Sequence, residues 1–318
     1  MKKKIVILGS TGSIGSTTVQ IIKNNLKNFN VIAISTNRNV KKIYKQAKEI
    51  KVKNVIISDL KSYLSYKDKF KKKKIKVFNN HFEFKKYLKL KIDYTMCAIS
   101  GLEGLEPALD AIKYSKTVGI ANKESIICAW NLIEKELNKN KTKFIPIDSE
   151  HFSIWSLIKS ENKANIEQII LTGSGGPFLK KSIKSIKFVK ASEAVKHPNW
   201  KMGKKISIDS ATMMNKVFEL IEAQKIFNID KNIFRILIHP KSYIHAIVKF
   251  KTGIIKFLAH DTNMKIPIFN SIYLDTENNI DSKKINLPIL NNLNFAKPDL
   301  KKFPSINFIK NVKTKNTF

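Results

Sequence analysis

Apolar residues in the first half of the chain come in short runs separated by segments of helical period. Ile5-Val6-Ile7-Leu8 predicts a buried strand, residues 14–26 an amphipathic helix and 31–34 a second strand. A helix near 40–50, strands at 54–57, 95–99, 117–120 and 144–147, and a helix near 105–114 follow, while Lys71-Lys72-Lys73-Lys74 reads as a solvated loop. Strands alternating with helices of this length build an α/β doubly wound parallel sheet with right-handed crossovers. Past Asp148 the pattern changes. Glycine-rich turns at 173–176, a helix over 212–227 and alternating strands at 236–238, 244–250 and 254–258 predict a second, α+β domain. Beyond about Asp275, Asn, Lys and Pro dominate, as in a linker and a weakly structured tail, with Leu, Ile and Phe spaced irregularly from Leu287 as in a strap. The expected divisions are 1–148, 149–275 and 276–318.

The 318 residues are 43% hydrophobic and 26% charged, which suffices for buried cores and excludes a disordered chain. Cys97 and Cys128 stand far apart among apolar neighbours, which predicts two buried thiols in a reducing compartment rather than a zinc site. No run reaches the roughly 20 apolar residues of a membrane span. The N-terminus passes from Lys2-Lys3-Lys4 straight into a strand, so a cytoplasmic protein without a cleaved signal is expected. A formal charge of +34 would suit nucleic acid, because Lys and Arg neutralise phosphates. Yet only Arg38 and Arg235 are arginine among the 59 basic residues, and base readout favours the guanidinium fork. Lys, Asn and Ile all have A/T-rich codons, so compositional drift accounts for the excess. No nucleic-acid or membrane partner is expected, although the positive field would draw phosphorylated substrates.

Gly9-Ser10-Thr11-Gly12-Ser13-Ile14-Gly15 follows the first strand and opens the first helix. Glycines there allow close backbone approach to a pyrophosphate, and the helix N-terminus supplies amide donors. That context makes the first domain Rossmann-like. An NAD site places a carboxylate on the ribose about 20 residues on, but Asn37-Arg38-Asn39 stands there instead. Arg38 either receives the 2′-phosphate of NADP or is an ordinary surface arginine. Asp148 and Glu150 of Asp148-Ser149-Glu150-His151, read as extended chain at a strand end, project to one side and can converge on one cation. Asn215, Lys216 and Glu219 share a helix face with Glu222 one turn on, while Met213, Met214, Phe218 and Ile221 suit a core. Ser174, in the run from Gly173 to Phe178, belongs to a nest able to bind an anion. His197-Pro198-Asn199-Trp200, followed by Met202-Gly203, reads as a flap. Taken singly, each also fits a turn, a packed aromatic or plain helix surface, and His239 and His245 read as structural.

In this order and at these distances, the strings GSTGSIG, ANKES, DSEH, LTGSGGPF, HPNW and DSATMMNK resemble the 1-deoxy-D-xylulose 5-phosphate reductoisomerase family over residues 4–304. The resemblance implies rearrangement of 1-deoxy-D-xylulose 5-phosphate to a branched aldehyde and its reduction by NADPH to 2-C-methyl-D-erythritol 4-phosphate, in the non-mevalonate isoprenoid pathway. It implies a divalent metal, Mg²⁺ or Mn²⁺ with Co²⁺ as a third candidate, held by Asp148, Glu150 and Glu219. Lys123, Glu150, His197 and Lys216 would be catalytic. Ser149, Glu150, Ser174, His197, Trp200, Ser210, Asn215, Lys216 and Glu219 would surround the substrate. Thr11, Gly12, Ser13, Ile14, Asn37, Arg38, Asn39, Asn122, Glu124 and Gly203 would line the cofactor. A homodimer is implied too, and family members continue into a small helical domain, so residues 276–318 are expected to be a truncated remnant of it. The rival readings explain less. A non-catalytic relative should lose a carboxylate or the flap, a basic nucleic-acid binder should cluster arginine and aromatics, and a generic NADP dehydrogenase leaves DSEH, GSGGPF and HPNW without a role.

Overall fold

The computed structural model describes residues 2–81, 91–200, 203–274, 278–280, 285 and 287–312. Met202, the expected 275/276 boundary and the last six positions of the tail lie outside the described residues. The chain forms two compact units, Met1–Ile147 with Pro267–Asn279, and Asp148–Ile266 with Ile280–Phe318.

The first unit contains β1 (Lys3–Leu8), α1 (Ser13–Lys23), β2 (Phe29–Thr36), α2 (Val40–Glu49), β3 (Asn54–Ile57), α3 (Leu60–Lys71), β4 (Lys76–Phe78), β5 (Ile92–Cys97), α4 (Leu105–Tyr114), β6 (Ser115–Ile120), α5 (Lys123–Asn140) and β7 (Lys143–Pro146). Its seven strands are ordered β4-β3-β2-β1-β5-β6-β7, and every pairing is parallel. The winding reverses between β1 and β5, the place where a doubly wound sheet opens a crevice at the carboxyl ends of its strands. Parallel strands covered on both faces must be apolar on both sides, so β1 and β3 carry near-continuous apolar runs, residues 5–8 and 55–57. Ile5, Ile7, Val55, Ile56, Tyr94 and Met96 are fully enclosed. The pattern does not mark α3, whose one buried residue is Phe70. That helix takes in Lys71, so the lysine run is a helix end and turn rather than a loop throughout. Nor does it mark α5, whose period is interrupted at Ala129 (φ −139°). Burial pushes the Cys97 thiol up to about 12. Cys128 departs from the expectation of two buried thiols: it lies on the exposed face of α5, opposite Ile126.

The second unit contains α6 (Ser149–Ile158), β8 (Ile166–Gly173), α7 (Lys204–Ala211), α8 (Met214–Phe227), β9 (Phe234–Ile238), β10 (Ile244–Phe250) and β11 (Ile255–Ala259). Its sheet runs β11-β10-β8-β9, with β8 and β9 parallel and β10 antiparallel to both β8 and β11. Ile154 of α6 and Leu220 and Ala223 of α8 share one core with Ile169, Leu171 and Val248 of the sheet. The described residues 287–312 of the tail are more ordered than expected. Phe303 and Ile306, at the head of a 3₁₀ turn over Pro304–Asn311, are buried in that same core, and Ile238 and Ala296 exchange backbone hydrogen bonds.

A further helix, α9 (Lys265–Ile272), belongs mostly to the first unit. There the Tyr94 and Ser271 hydroxyls pair at 2.8 Å, the Lys3 amine donates to the Ile272 carbonyl, and the Asn25 amide donates to the Tyr273 hydroxyl at 3.0 Å. These bonds place with the first unit a stretch that the sequence pattern assigns to the second. Among the described residues no helix is long and apolar enough to cross a membrane.

Candidate active site

Asp148 is the N-cap of α6 and Glu150 lies in its first turn. The expected extended strand end is therefore a helix start: Asp148 adopts φ −53° and ψ 137°, and the Phe152 N–H donates to its carbonyl at 2.8 Å. An N-cap aspartate usually accepts a first-turn amide with its side chain, but this carboxylate makes no such bond. α8 starts after Met213, held left-handed at φ 61°. From there helical spacing turns Asn215, Lys216, Glu219 and Glu222 inward, and all four are buried.

The Lys216 ammonium donates to one oxygen of Glu150 and one of Glu219. The Asn215 amide donates to the other Glu219 oxygen, and the Ser149 hydroxyl donates to Glu150 Oε2 at 2.6 Å. Asp148, Glu150 and Glu219 each present an oxygen within 4.8 Å of the other two. Three carboxylates thus converge, and one ammonium bonds two of them. Burial, reinforced by the Glu219 charge and opposed by Lys216, pushes Glu150 up to about 8. Burial alone would pull the Lys216 ammonium down, yet Glu150 and Glu219 outweigh it and hold the group above its ordinary value. Excess buried negative charge on hard oxygen donors is what a divalent cation such as Mg²⁺ neutralises, so these residues fit one. His151 ties the two helices together. Its Nε2–H donates to the Glu219 carbonyl at 2.8 Å, and its Nδ1 faces Asp148 at 3.7 Å and Glu222 at 3.5 Å.

The turn after β8 carries Ser174 to meet His197. Ser174 Oγ accepts from the Gly176 N–H at 3.0 Å and from His197 Nε2–H at 2.9 Å. His197 Nδ1 accepts the backbone N–H groups of Asn199 and Trp200 at 3.1 and 2.9 Å, which fixes the proton on Nε2. Burial, then the Lys216 charge, brings His197 down to about 4, so near neutral pH it is an uncharged donor. Gly176 has φ 68°, and a Cβ there would lie 2.6 Å from the Ser210 carbonyl oxygen, so the turn reaches the end of α7 only with glycine. Asn199, to which the sequence assigns no role of its own, donates its side-chain amide to the Pro240 carbonyl at 2.6 Å and to Ser242 Oγ at 3.0 Å. Trp200 stands edge-on to His245 with ring centroids 5.9 Å apart. These contacts pin residues 197–200 to Ser174, Pro240, Ser242 and His245.

In the first unit the glycine run does two different things. A Cβ on Gly15 would come 2.2 Å from the Gly9 carbonyl oxygen, so Gly15 serves packing. One on Gly12 would meet nothing closer than 3.5 Å, and no side chain caps α1, so the first-turn backbone of Ser13 and Ile14 borders a cradle that an anion such as a pyrophosphate fits. Thr11 pairs with Thr36 at 2.7 Å, and Lys42 donates to the Thr11 carbonyl at 2.9 Å. Past β2, the Arg38 side chain is 79% exposed and donates through Nε to Asp59 at 3.2 Å. Asn37 donates to Ser58 at 3.2 Å, and Asn39 caps α2. Asn122 is a buried clasp: it accepts from the Ser125 N–H and donates to the Ile99 and Gly101 carbonyls, so it shapes the loop. Lys123 and Glu124 open α5, whereas Gly203 lies in the second unit as the exposed N-cap of α7.

Residues 5–130 match the family model for 1-deoxy-D-xylulose 5-phosphate reductoisomerase, and residues 144–227 match the model for its C-terminal domain. The 1-deoxy-D-xylulose 5-phosphate reductoisomerase of Pelagibacter ubique is 56% identical over 317 residues, which is 99% of this chain and 82% of the relative. That of Thermoanaerobacter sp. is 36% identical over 302 residues, 95% of this chain and 79% of the relative. The Zymomonas mobilis enzyme, solved in complex with NADPH, aligns with TM-score 0.89 at 35% identity, covering 98% of this chain and 81% of its own. A reductoisomerase solved with NADPH, fosmidomycin and magnesium aligns with TM-score 0.90 at 33% identity, covering 97% and 79%. With both units matched and a 56% identical relative spanned over 82% of its length, the chain belongs to the 1-deoxy-D-xylulose 5-phosphate reductoisomerase family.

Proposed function

We propose that this chain converts 1-deoxy-D-xylulose 5-phosphate to 2-C-methyl-D-erythritol 4-phosphate with NADPH and Mg²⁺ or Mn²⁺, in the non-mevalonate route to isoprenoids. The observation that carries the reading is the cluster of half-buried Asp148 with Glu150 and Glu219, the last two bonded to Lys216. A divalent metal held by the three carboxylates supplies Lewis acidity to the substrate's neighbouring carbonyl and hydroxyl oxygens, and NADPH supplies the hydride. Lys216 keeps Glu150 and Glu219 from repelling one another and offers an ammonium N–H to substrate oxygen, with the Ser149 hydroxyl beside it. Ser174, Ser210 and Asn215 take the phosphate together with the amides of the glycine turn, and neutral His197 orients Ser174 by donating to it. Trp200 covers the carbon chain and keeps water from the branched aldehyde.

Thr11, Gly12, Ser13 and Ile14 hold the pyrophosphate of the cofactor, and Arg38, flanked by Asn37 and Asn39, holds its 2′-phosphate. Asn122, Lys123, Glu124 and Gly203 complete the cofactor side. On this reading residues 1–148 bind NADPH, 149–275 bind metal and substrate, and 276–318 are the remnant of the family's helical domain. The working protein is a cytoplasmic homodimer without a nucleic-acid or membrane partner.

Following NADPH oxidation with 1-deoxy-D-xylulose 5-phosphate and Mg²⁺ or Mn²⁺ tests this directly. Turnover is expected, and Asp148→Asn, Glu150→Gln and Glu219→Gln should each abolish it with NADPH affinity retained. A wild-type chain that binds NADPH and metal yet never turns over the substrate overturns the reading. If Glu219→Gln stays active and Glu222→Gln does not, the helix ligand is Glu222.

A further inference from the structure

His245, in β10, and His260, the residue after β11, stack face to face with ring centroids 3.7 Å apart and planes 20° from parallel. Both rings are tethered by backbone. His245 Nε2–H donates to the His260 carbonyl at 3.2 Å, and His260 Nδ1–H donates to the Asp261 carbonyl at 2.7 Å. Both side chains are buried, and among the described residues no donor reaches the remaining lone pair on His260 Nε2. A buried acceptor without a donor lowers stability relative to an apolar side chain of similar shape, so what His260 contributes lies in its ring and the stack and not in that nitrogen.

The position of the pair suggests another role. His245 is the ring against which Trp200 rests, at 5.9 Å and 71°. Trp200 is bonded through its backbone to His197, which meets Ser174, and its neighbour Asn199 is fastened to Pro240 and Ser242. The series Trp200, His245, His260 therefore runs from the flap to the β10–β11 pair. A flat ring behind His245 fixes the plane of that imidazole as well as its place, which an aliphatic side chain would not do.

We propose that His260 is a positioning residue for flap closure: by stacking on His245 it sets the surface on which Trp200 docks, and hence the fit of the flap over the substrate. The proposal rests on reading residues 197–200 as the substrate flap. His260 acts through His245 and Trp200.

Two substitutions separate the ring's shape from its lone pair. His260→Ala removes the stack, whereas His260→Phe keeps a flat ring without the lone pair. In His260→Ala the KM for 1-deoxy-D-xylulose 5-phosphate should rise about three- to tenfold, the range that loss of one aromatic pair produces, with kcat changed less and NADPH affinity unchanged. His260→Phe should recover most of that KM. Acrylamide quenching without substrate, taken as the difference between each protein and its Trp200→Phe counterpart, should show Trp200 more accessible in His260→Ala and protected again in His260→Phe. Unchanged KM and quenching in His260→Ala overturn the proposal, even if thermal stability falls. So does a His260→Phe protein as impaired as His260→Ala, because the flat ring is then not what matters. The quenching readout needs neither turnover nor substrate. A wild-type protein without activity but with a His260-dependent Trp200 signal would sink the reductoisomerase reading and leave the positioning role standing.

Discussion

Burial, only partly offset by its bond to the Asp261 carbonyl, brings the His260 imidazole down to about 4, whereas a free histidine takes up its proton near pH 6.5. Between those values the unfolded chain binds a proton that the folded chain does not. Keeping this ring neutral therefore costs nothing above about pH 6.5, and stability is lost as pH falls toward 4, on the order of 3 kcal/mol in all. Urea midpoints at about pH 7 and about pH 4.5 check the sign: His260→Phe should lose less than the wild type between them. Arg38 carries a second prediction. Arg38→Ala should weaken NADPH more than NADH, by up to about 2 kcal/mol, and equal losses in titrations with the two cofactors would refute its place at the 2′-phosphate. At this scale residue type and spacing make Asp148 with Glu150, and Asn215 and Lys216 with Glu219, legible as two candidate clusters, but only the family resemblance joins them on one cation. His151, Asn199 and His260 are not legible, since what defines them is a partner far along the chain. His151 meets Glu219 68 positions on, Asn199 meets Pro240 41 positions on, and His260 takes a bond from His245 15 positions back.

Among the elements, the turn after β8 has the least freedom. Gly176→Ala would need φ 68° and put a Cβ 2.6 Å from the Ser210 carbonyl oxygen, a backbone atom that cannot swing away. It should destabilise the protein by about 1–3 kcal/mol and raise the KM for the phosphorylated substrate while leaving that for NADPH unchanged, which melting curves and steady-state kinetics would measure. Elements of the first unit are readable to the residue where the physics is one-sided. The strand expected at 54–57 and the helix at 105–114 coincide with β3 and α4, because a strand covered on both faces is an uninterrupted apolar run and a helix on its surface is cleanly two-faced. The start of α6 escapes that reading. Only Ile147 and Asp148 separate β7 from α6, too short a gap for an apolar pattern to mark, and Asp148 is already the N-cap. The tail escapes it for the opposite reason. Phe303 and Ile306, with Ile309 packed beside them, follow a three-residue period too short-lived to stand out, and the core they bury against is formed much earlier in the chain.

Over the whole molecule, 59 basic residues against 25 acidic ones leave a field that a phosphorylated substrate meets before any single side chain. The second-order rate constant kcat/KM for the sugar phosphate should fall as salt shortens the screening length from about 30 Å near 0.01 M to about 8 Å near 0.15 M. kcat itself should stay constant. A salt-independent kcat/KM would mean that the lysines do nothing for encounter and are compositional only. The course of the chain has a consequence of its own. During synthesis the N-terminal part emerges first, at roughly 5–20 residues per second. All seven strands of the first sheet have been made by Pro146, but the Tyr94 hydroxyl, the Lys3 amine and the Asn25 amide wait for residues 271–273. That stretch arrives on the order of ten seconds later. A ribosome paused in this interval holds out a finished sheet with an unfinished surface, and it is then that the nascent protein is most open to chaperones and proteases.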